Sequence, residues 1–224
     1  MVTRMFECLR LKDQSRGNMN LKGIKLTWLG HATFRIETPA GRTILVDPWV
    51  MGNPMCPEKE KDVKKVDVLL CTHGHFDHIG DAVEIAEKHN PVVVGIPELC
   101  GWLEKKGVKQ TSMMNKGGTQ AVGDIKVTMV HADHSCGIQD DDQIVYGGEA
   151  CGYVIEFSNG VKIYHAGDTN VFGDRQLFAI CMVRRSRCCR LEITSPCRRA
   201  RRLMPVACSN RKQSSRCTLA LSRC

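Results

Sequence analysis

The sequence predicts an α/β sandwich, two sheets packed on each other with helices outside. Three observations predict it. Short strand patterns fall into two separated groups, and apolar strand runs alternate with helical spacing between them. One strand end also opens directly into Thr72-His73-Gly74-His75-Phe76-Asp77-His78, a loop dense in metal-ligating side chains. At 224 residues and 42% hydrophobic content, the chain is long enough to bury a real core.

Residues 1–23 are polar and lack clear periodicity, so they read as a loose extension. Ile24 to Leu29, Thr33 to Glu37 and Thr43 to Val46 then read as a meander of short antiparallel strands. Thr38-Pro39-Ala40-Gly41 supplies the turn chemistry between the last two. Val66 to Leu70 is a compact apolar run, as expected of a strand buried on both faces, and it feeds the His-rich loop. Beyond the loop, Ile79, Ala82, Val83, Ile85 and Ala86 recur at helical spacing until Asn90-Pro91 stops the run. Val92 to Ile96 repeats the buried-strand pattern, and Pro97 opens a helix that ends at Gly107 with Leu99, Trp102 and Leu103 on its apolar face. Ile125 to Val130 is a further strand, and Tyr153 to Phe157 with Val161 to Tyr164 flank Ser158-Asn159-Gly160 as a hairpin.

The net charge of +8 suggests nucleic acid until it is divided by position. Residues 181–224 hold eleven Arg and one Lys against Glu192 alone, a net of +11, which leaves the preceding 180 residues at −3. Of the thirteen cysteines, seven crowd into that same tail and six are scattered singly before it, a spacing expected of free thiols rather than of a disulfide framework. No run of about 18 uncharged apolar residues occurs, and Met1 to Gly23 lacks the continuous apolar stretch of a secretory signal. A cytosolic protein with no membrane partner is expected.

Within the loop, His73 and His75 are two apart, so on an extended segment both imidazoles point the same way, and Asp77 and His78 follow at the turn into the helix. Zinc accepts His nitrogens and carboxylate oxygens at about 2.0 to 2.2 Å, and a pair of ions about 3.5 to 4 Å apart activates water for hydrolysis. One surface His is more often a solvated side chain than a ligand. Four ligand-capable side chains within six positions change that balance toward a metal site.

His73-x-His75-x-Asp77-His78 resembles the signature of the metallo-β-lactamase superfamily. Leu29-Gly30-His31-Ala32-Thr33-Phe34, Asp47-Pro48-Trp49 and His165-Ala166-Gly167-Asp168-Thr169 are similar to motifs of its bacterial branch of metal-dependent hydrolases. The resemblance covers roughly residues 24–180 and implies a metallo-β-lactamase-like αββα sandwich. It implies that His73, His75 and His134 bind a first metal, that Asp77 and His78 bind a second and form the catalytic pair, and that Asp168 bridges the two. His134 is preferred over His131 because the family places a His before Ser. His31 and Asp47 are expected beside the site as partners that orient metal-bound imidazoles. Zn²⁺ is the expected cofactor, two ions in an intact family member, with Mn²⁺ or Fe compatible with the same donors. The expected partner is a small-molecule ester, thioester, lactone, amide or phosphodiester, among which the fold does not choose.

The tail departs from the family. A Gly-Asp-His-Phe-Thr-Met segment and a final metal-binding His before Gly-Thr are both missing after Asp168, and Cys- and Arg-rich text that fits no secondary-structure template stands instead. The second sheet is therefore expected to be incomplete, and the chain to be poorly stable and weakly active. Nucleic-acid binding by the basic tail is the competing function, opposed by the absence of any aromatic residue there to stack on bases. A zinc or redox module is opposed by Cys spacing that lacks C-x₂₋₄-C pairs. A shift of reading frame between about Gln176 and Arg184 accounts for the departure. Leu191-Glu192-Ile193-Thr194-Ser195-Pro196-Cys197 can be encoded by CTG-GAG-ATC-ACT-TCA-CCA-TGC, which in another register reads GGA-GAT-CAC-TTC-ACC-ATG, or Gly-Asp-His-Phe-Thr-Met. The same register from Ser209 to Arg223 permits a His-Phe-Gly-Thr segment, its His straddling the codons of Cys217 and Thr218. The nucleotide sequence of the gene checks this: codons compatible with both readings are expected, and codons that forbid the second would rule the shift out.

Overall fold

The computed structural model describes residues 21–175, 177, 190–195 and 218–221, the last two stretches as backbone alone. A first sheet of six strands runs in chain order: β1 (Lys25–Gly30), β2 (Thr33–Glu37), β3 (Thr43–Val46), β4 (Val68–Leu70), β5 (Val92–Gly95) and β6 (Thr111–Met113). Short turns join β1 to β3 as an antiparallel meander, whereas β3 to β6 pair in parallel because helical crossovers separate them. The crossovers hold α1 (Glu58–Lys61), α2 (Phe76–Ile79), α3 (Ala82–His89) and α4 (Pro97–Lys105). Every residue of β3 and β4 is buried, as the apolar runs require.

The helix expected from Ile79 to Asn90 is divided. Ile79 instead closes a separate turn, α2, which begins inside the ligand loop at Phe76, and the chain bends at Gly80-Asp81 before α3 begins. Gly80 lies so close to α2 that an added Cβ would stand 2.6 Å from the Phe76 carbonyl oxygen. Asp81 turns its carboxylate to the backbone N–H groups of Val50 and Met51, so the break ties the ligand loop to the segment after β3. Apolar periodicity carries no trace of such a bend.

The second sheet contains β7 (Thr119–Val122), β8 (Ile125–His131), β11 (Cys151–Phe157), β12 (Lys162–Asp168), β13 (Arg190–Ser195) and β14 (Thr218–Leu221), in the order β14-β13-β12-β11-β8-β7. A separate hairpin, β9 (Gly137–Asp140) with β10 (Gln143–Tyr146), leaves from the end of β8. Strands β7, β8, β11 and β12 pair antiparallel, while β13 and β14 add in parallel beyond β12. The sheet expected to be incomplete thus has four strands from the expected domain and two backbone strands from the tail. The strand at Arg190–Ser195 differs from the expectation that the tail fits no secondary-structure template, and the alternation Leu191, Glu192, Ile193, Thr194 is the period of two that accounts for it.

One buried cluster joins the layers: Leu29, Ile36, Ile44, Val46, Leu70 and Val94 of the first sheet pack with Val127, Met129, Tyr153, Ile155 and Ile163 of the second. Ala82, Ile85, Leu99 and Leu103 bring α3 and α4 onto the same core. Cys56, Cys71, Cys100, Cys136 and Cys151 are free and buried, as expected for scattered thiols. Burial pushes the Cys100 thiol up to about 12, which keeps it protonated and unreactive.

Tyr153 stitches the sheets at the level of the ligand loop. Its hydroxyl donates to the Cys71 carbonyl at 2.7 Å and lies 3.2 Å from the Val94 carbonyl, at the C-terminal ends of β4 and β5. Replacing Tyr153 with Phe keeps the ring and removes this donor, so a loss of about 1 kcal/mol is expected. A lower urea midpoint with unchanged slope checks it.

Candidate metal centre

The site gathers where β3 and β4 end. Asp47 follows β3 in the left-handed region at φ 49°, a conformation Asp tolerates better than most residues. Its carboxylate is completely buried, and a buried charge is sustained only by dense hydrogen bonding. Oδ1 accepts from the Thr72 N–H at 2.8 Å, and Oδ2 accepts from the Thr72 hydroxyl at 2.9 Å and from His78 Nδ1 at 2.8 Å. Because the Thr72 hydroxyl spends its proton on Asp47, its oxygen is left to accept from His73 Nδ1 at 3.0 Å. One carboxylate therefore orients two imidazoles, each with Nδ1 outward and Nε2 turned inward.

His73, His75 and His134 form the first cluster, their donor atoms all within 4.8 Å of one another. His73 Nε2 lies 3.0 Å from His75 Nδ1, and His75 presents its other nitrogen to Ser135 Oγ at 3.2 Å. Burial, then the neighbouring His78 and His75, hold the His73 imidazole well below its usual range. Burial and His134 lower His75 in the same way. Both are neutral ligand forms at physiological pH.

His31, Asp77 and His78 form the second cluster, again within 4.8 Å. His31 Nε2 lies 3.1 Å from Asp77 Oδ2 and 3.2 Å from His78 Nε2. The His31 contact, opposed by partial burial, lowers the Asp77 carboxyl. Asp168 Oδ2 stands between the clusters, 3.5 Å from His78 Nε2 and 3.9 Å from His134 Nε2. Burial opposes charge on His78, but Asp47 and Asp168 outweigh it and push its pKa up to about 10. That field favours a cation here, whether a proton or a metal ion.

Sequence motifs named six of these ligand-capable side chains, and the structure brings all six together: His73, His75, Asp77, His78, His134 and Asp168. His31 and Asp47 join them as expected, although His31 stands among the donors rather than behind them. His131 is turned away, its Nδ1 3.1 Å from Lys116 Nζ and its ring against Phe172. His89 faces the Val63 carbonyl. Thr72, Ser135 and His165 stand within the sequence motifs, but the sequence assigns them no role at the site. The first two adjoin motif histidines, which is the only signal they carry. His165 sits buried on β12, donates from Nε2 to the Ala32 carbonyl at 3.1 Å and accepts the Gly167 N–H at 3.2 Å. It thereby pins the two bends that carry His31 and Asp168.

The donor set fits divalent metal. Ligands at about 2.0 to 2.1 Å from a tetrahedral ion lie about 3.3 Å apart. The His73–His75 and His31–His78 separations of 3.0 and 3.2 Å match that edge.

Sheet order, layered core and clustered histidines define a metallo-β-lactamase-type protein, and residues 42–195 match the family model of the Beta-lactamase superfamily domain. The chain belongs to that superfamily. More narrowly, it is similar to UPF0173 metal-dependent hydrolases. It is 72% identical over 159 residues to one from Koribacter versatilis, covering 71% of this chain and 68% of the relative. It is 52% identical over 154 residues to another from Solibacter usitatus, covering 69% and 66%. The matching stretch spans about two thirds of the length of these relatives. Among solved structures, Igni18, a metallo hydrolase from Ignicoccus hospitalis, superimposes with a TM-score of 0.62 at 30% identity, covering 77% of this chain and 70% of its own. CmlA, a diiron β-hydroxylase from Streptomyces venezuelae, shares the fold at TM-score 0.57 and 20% identity, covering 77% of this chain and 34% of its own.

No helix among the described residues is long and apolar enough to cross a membrane. The competing nucleic-acid reading and the Cys-rich zinc or redox reading both fall on tail side chains outside the described residues.

Asp47→Asn keeps the shape but places an amide N–H against a ring donor or the Thr72 hydroxyl. Affinity for Zn²⁺ is expected to fall about 10- to 100-fold, the usual cost of losing such a partner. Competition with a fluorescent chelator measures it.

Proposed function

We propose that this chain is a metal-dependent hydrolase that cleaves an ester, thioester, lactone, amide or phosphodiester bond in a small molecule. The observation that carries the reading is the convergence of two donor clusters on Asp168. His73, His75 and His134 would hold one ion. Asp77 and His78 would hold the second, with Asp168 shared between the positions. His31 lies where it can add a nitrogen to the second position, next to Asp77 and His78. When bound, the ions polarise the scissile group and lower the pKa of water. Zn²⁺ suits these nitrogen and carboxylate donors, as Mn²⁺ and Fe do.

The residues themselves do the positioning. Asp47 and Thr72 keep His73 and His78 in one orientation, so no ligand must reorganise during turnover. Asp77 and His78 stand at the reacting end. The His31 and Asp77 side chains are 29% and 28% exposed, which leaves that side of the centre open to substrate. We take residues 24–180 as the catalytic domain, 1–23 as an extension and 181–224 as a tail altered by a change of frame, with the family-model match running on to residue 195. We place the protein in the cytosol; five buried thiols without a disulfide suit a reducing compartment.

The test is hydrolysis by Zn²⁺-loaded protein across chromogenic esters, thioesters, lactones and phosphodiesters. At least one class should turn over, stop with a chelator and recover with metal. In His73→Ala with His75→Ala, metal content should drop and the rate should fall at least about a hundredfold. Chelator-insensitive hydrolysis, or protein that binds no metal, would contradict the proposal.

A further inference from the structure

Phe76 is 66% exposed, although it lies between His75 and Asp77 in the chain. Keeping so large an apolar ring in water beside charged and polar ligands is unfavourable in the free protein, and such exposure marks a binding surface when it is continuous with a site. Here the continuity is explicit. The Phe76 ring meets the Trp49 ring edge to face at 5.9 Å between centroids, Trp49 meets His31 at 5.6 Å, and His31 meets His78 at 5.0 Å. Trp49 is held from behind: an added Cβ on Gly80 would stand 3.1 Å from its Cδ1, and one on Gly52 would stand 3.1 Å from its Nε1. Met55, 49% exposed, extends the apolar rim to the turn that carries His31, for a Cβ on Gly30 would meet its Cβ at 2.8 Å.

These residues form a fixed ledge that leads to the second donor cluster from its solvent side. We infer that Phe76 and Trp49 are specificity-determining residues that receive an apolar group, aryl or branched alkyl, attached next to the bond to be cleaved. The inference rests on the metal-dependent reading above and narrows its substrate to molecules with a polar cleavable head and an apolar flank. The occupant is placed by the position of the ledge. A molecule whose head reaches His31, Asp77 and His78 from the open side has its flank against Trp49 and Phe76. Edge-to-face packing on two rings adds to the area buried, so the apolar flank should raise affinity about tenfold.

Hydroxamates separate the two layers of the argument, because acetohydroxamate and benzohydroxamate share one chelating head and differ in the flank. With Zn²⁺-loaded parent protein, benzohydroxamate is expected to bind about tenfold more tightly than acetohydroxamate, read by quenching of tryptophan fluorescence or by calorimetry. In Phe76→Ala, whose exposed side chain carries little of the fold, that gap should shrink severalfold while acetohydroxamate affinity stays unchanged. Equal affinity of the two hydroxamates for the parent, or a gap that survives Phe76→Ala, overturns the inference and leaves the metal centre standing. Binding of neither compound means that the metal reading itself fails. Sedimentation of parent and variant at the assay concentration completes the test: a parent dimer that dissociates on Phe76→Ala assigns the ledge to a second copy and also overturns it.

Discussion

A carboxylate with no exposure to water must be surrounded by donors, and at Asp47 those donors are the parts of the site. Stripping an ion of water costs several kcal/mol, which the protein recovers only if each hydrogen bond is made in good geometry. The Thr72 amide, the Thr72 hydroxyl and His78 Nδ1 all satisfy Asp47, and Thr72 relays the constraint to His73. The register of the sheet makes this possible. Val46 pairs with Leu70 in the parallel β3–β4 ladder, so Asp47 and the residues that follow β4 leave the sheet side by side.

The second sheet completes what the first begins. His134 follows β8 and Asp168 ends β12, so the donor set depends on two layers meeting at one level. The shared apolar core brings them together, and the Tyr153 hydroxyl fixes their relative height at the ends of β4 and β5. His165 then adjusts the finer geometry by bonding the chain on either side, near His31 and near Asp168. Loss of any of these ties would move ligands by fractions of an ångström, enough to weaken a centre whose donors are about 3 Å apart.

Much of this was legible in the sequence because the signals are local. The His73 to His78 spacing and the apolar runs of β3, β4 and β5 are readable from neighbouring residues alone, while the choice of His134 over His131 came from the family resemblance, which places a His before Ser. The unread parts depend on distant partners. Nothing around Thr72 announces that Asp47 will take its proton, and nothing around His165 announces the Ala32 carbonyl. The bend at Gly80-Asp81 was hidden because apolar spacing continues through it, while the deciding bonds go to Val50 and Met51. In the tail, the unusual composition masked the period-two alternation of residues 191–194, and β13 pairs with β12 through backbone groups that composition does not disturb.

The central claim is that the buried Asp47 network aims two donor clusters at adjacent metal positions. Crystals of the chain grown with Zn²⁺ and measured across the zinc absorption edge test it most directly. The account predicts one anomalous peak among His73 Nε2, His75 Nδ1 and His134, and a second beside His31, Asp77 and His78, with Asp168 between them. Zinc bound elsewhere, or His73 and His78 turned so that their Nδ1 atoms face the metal, would contradict it.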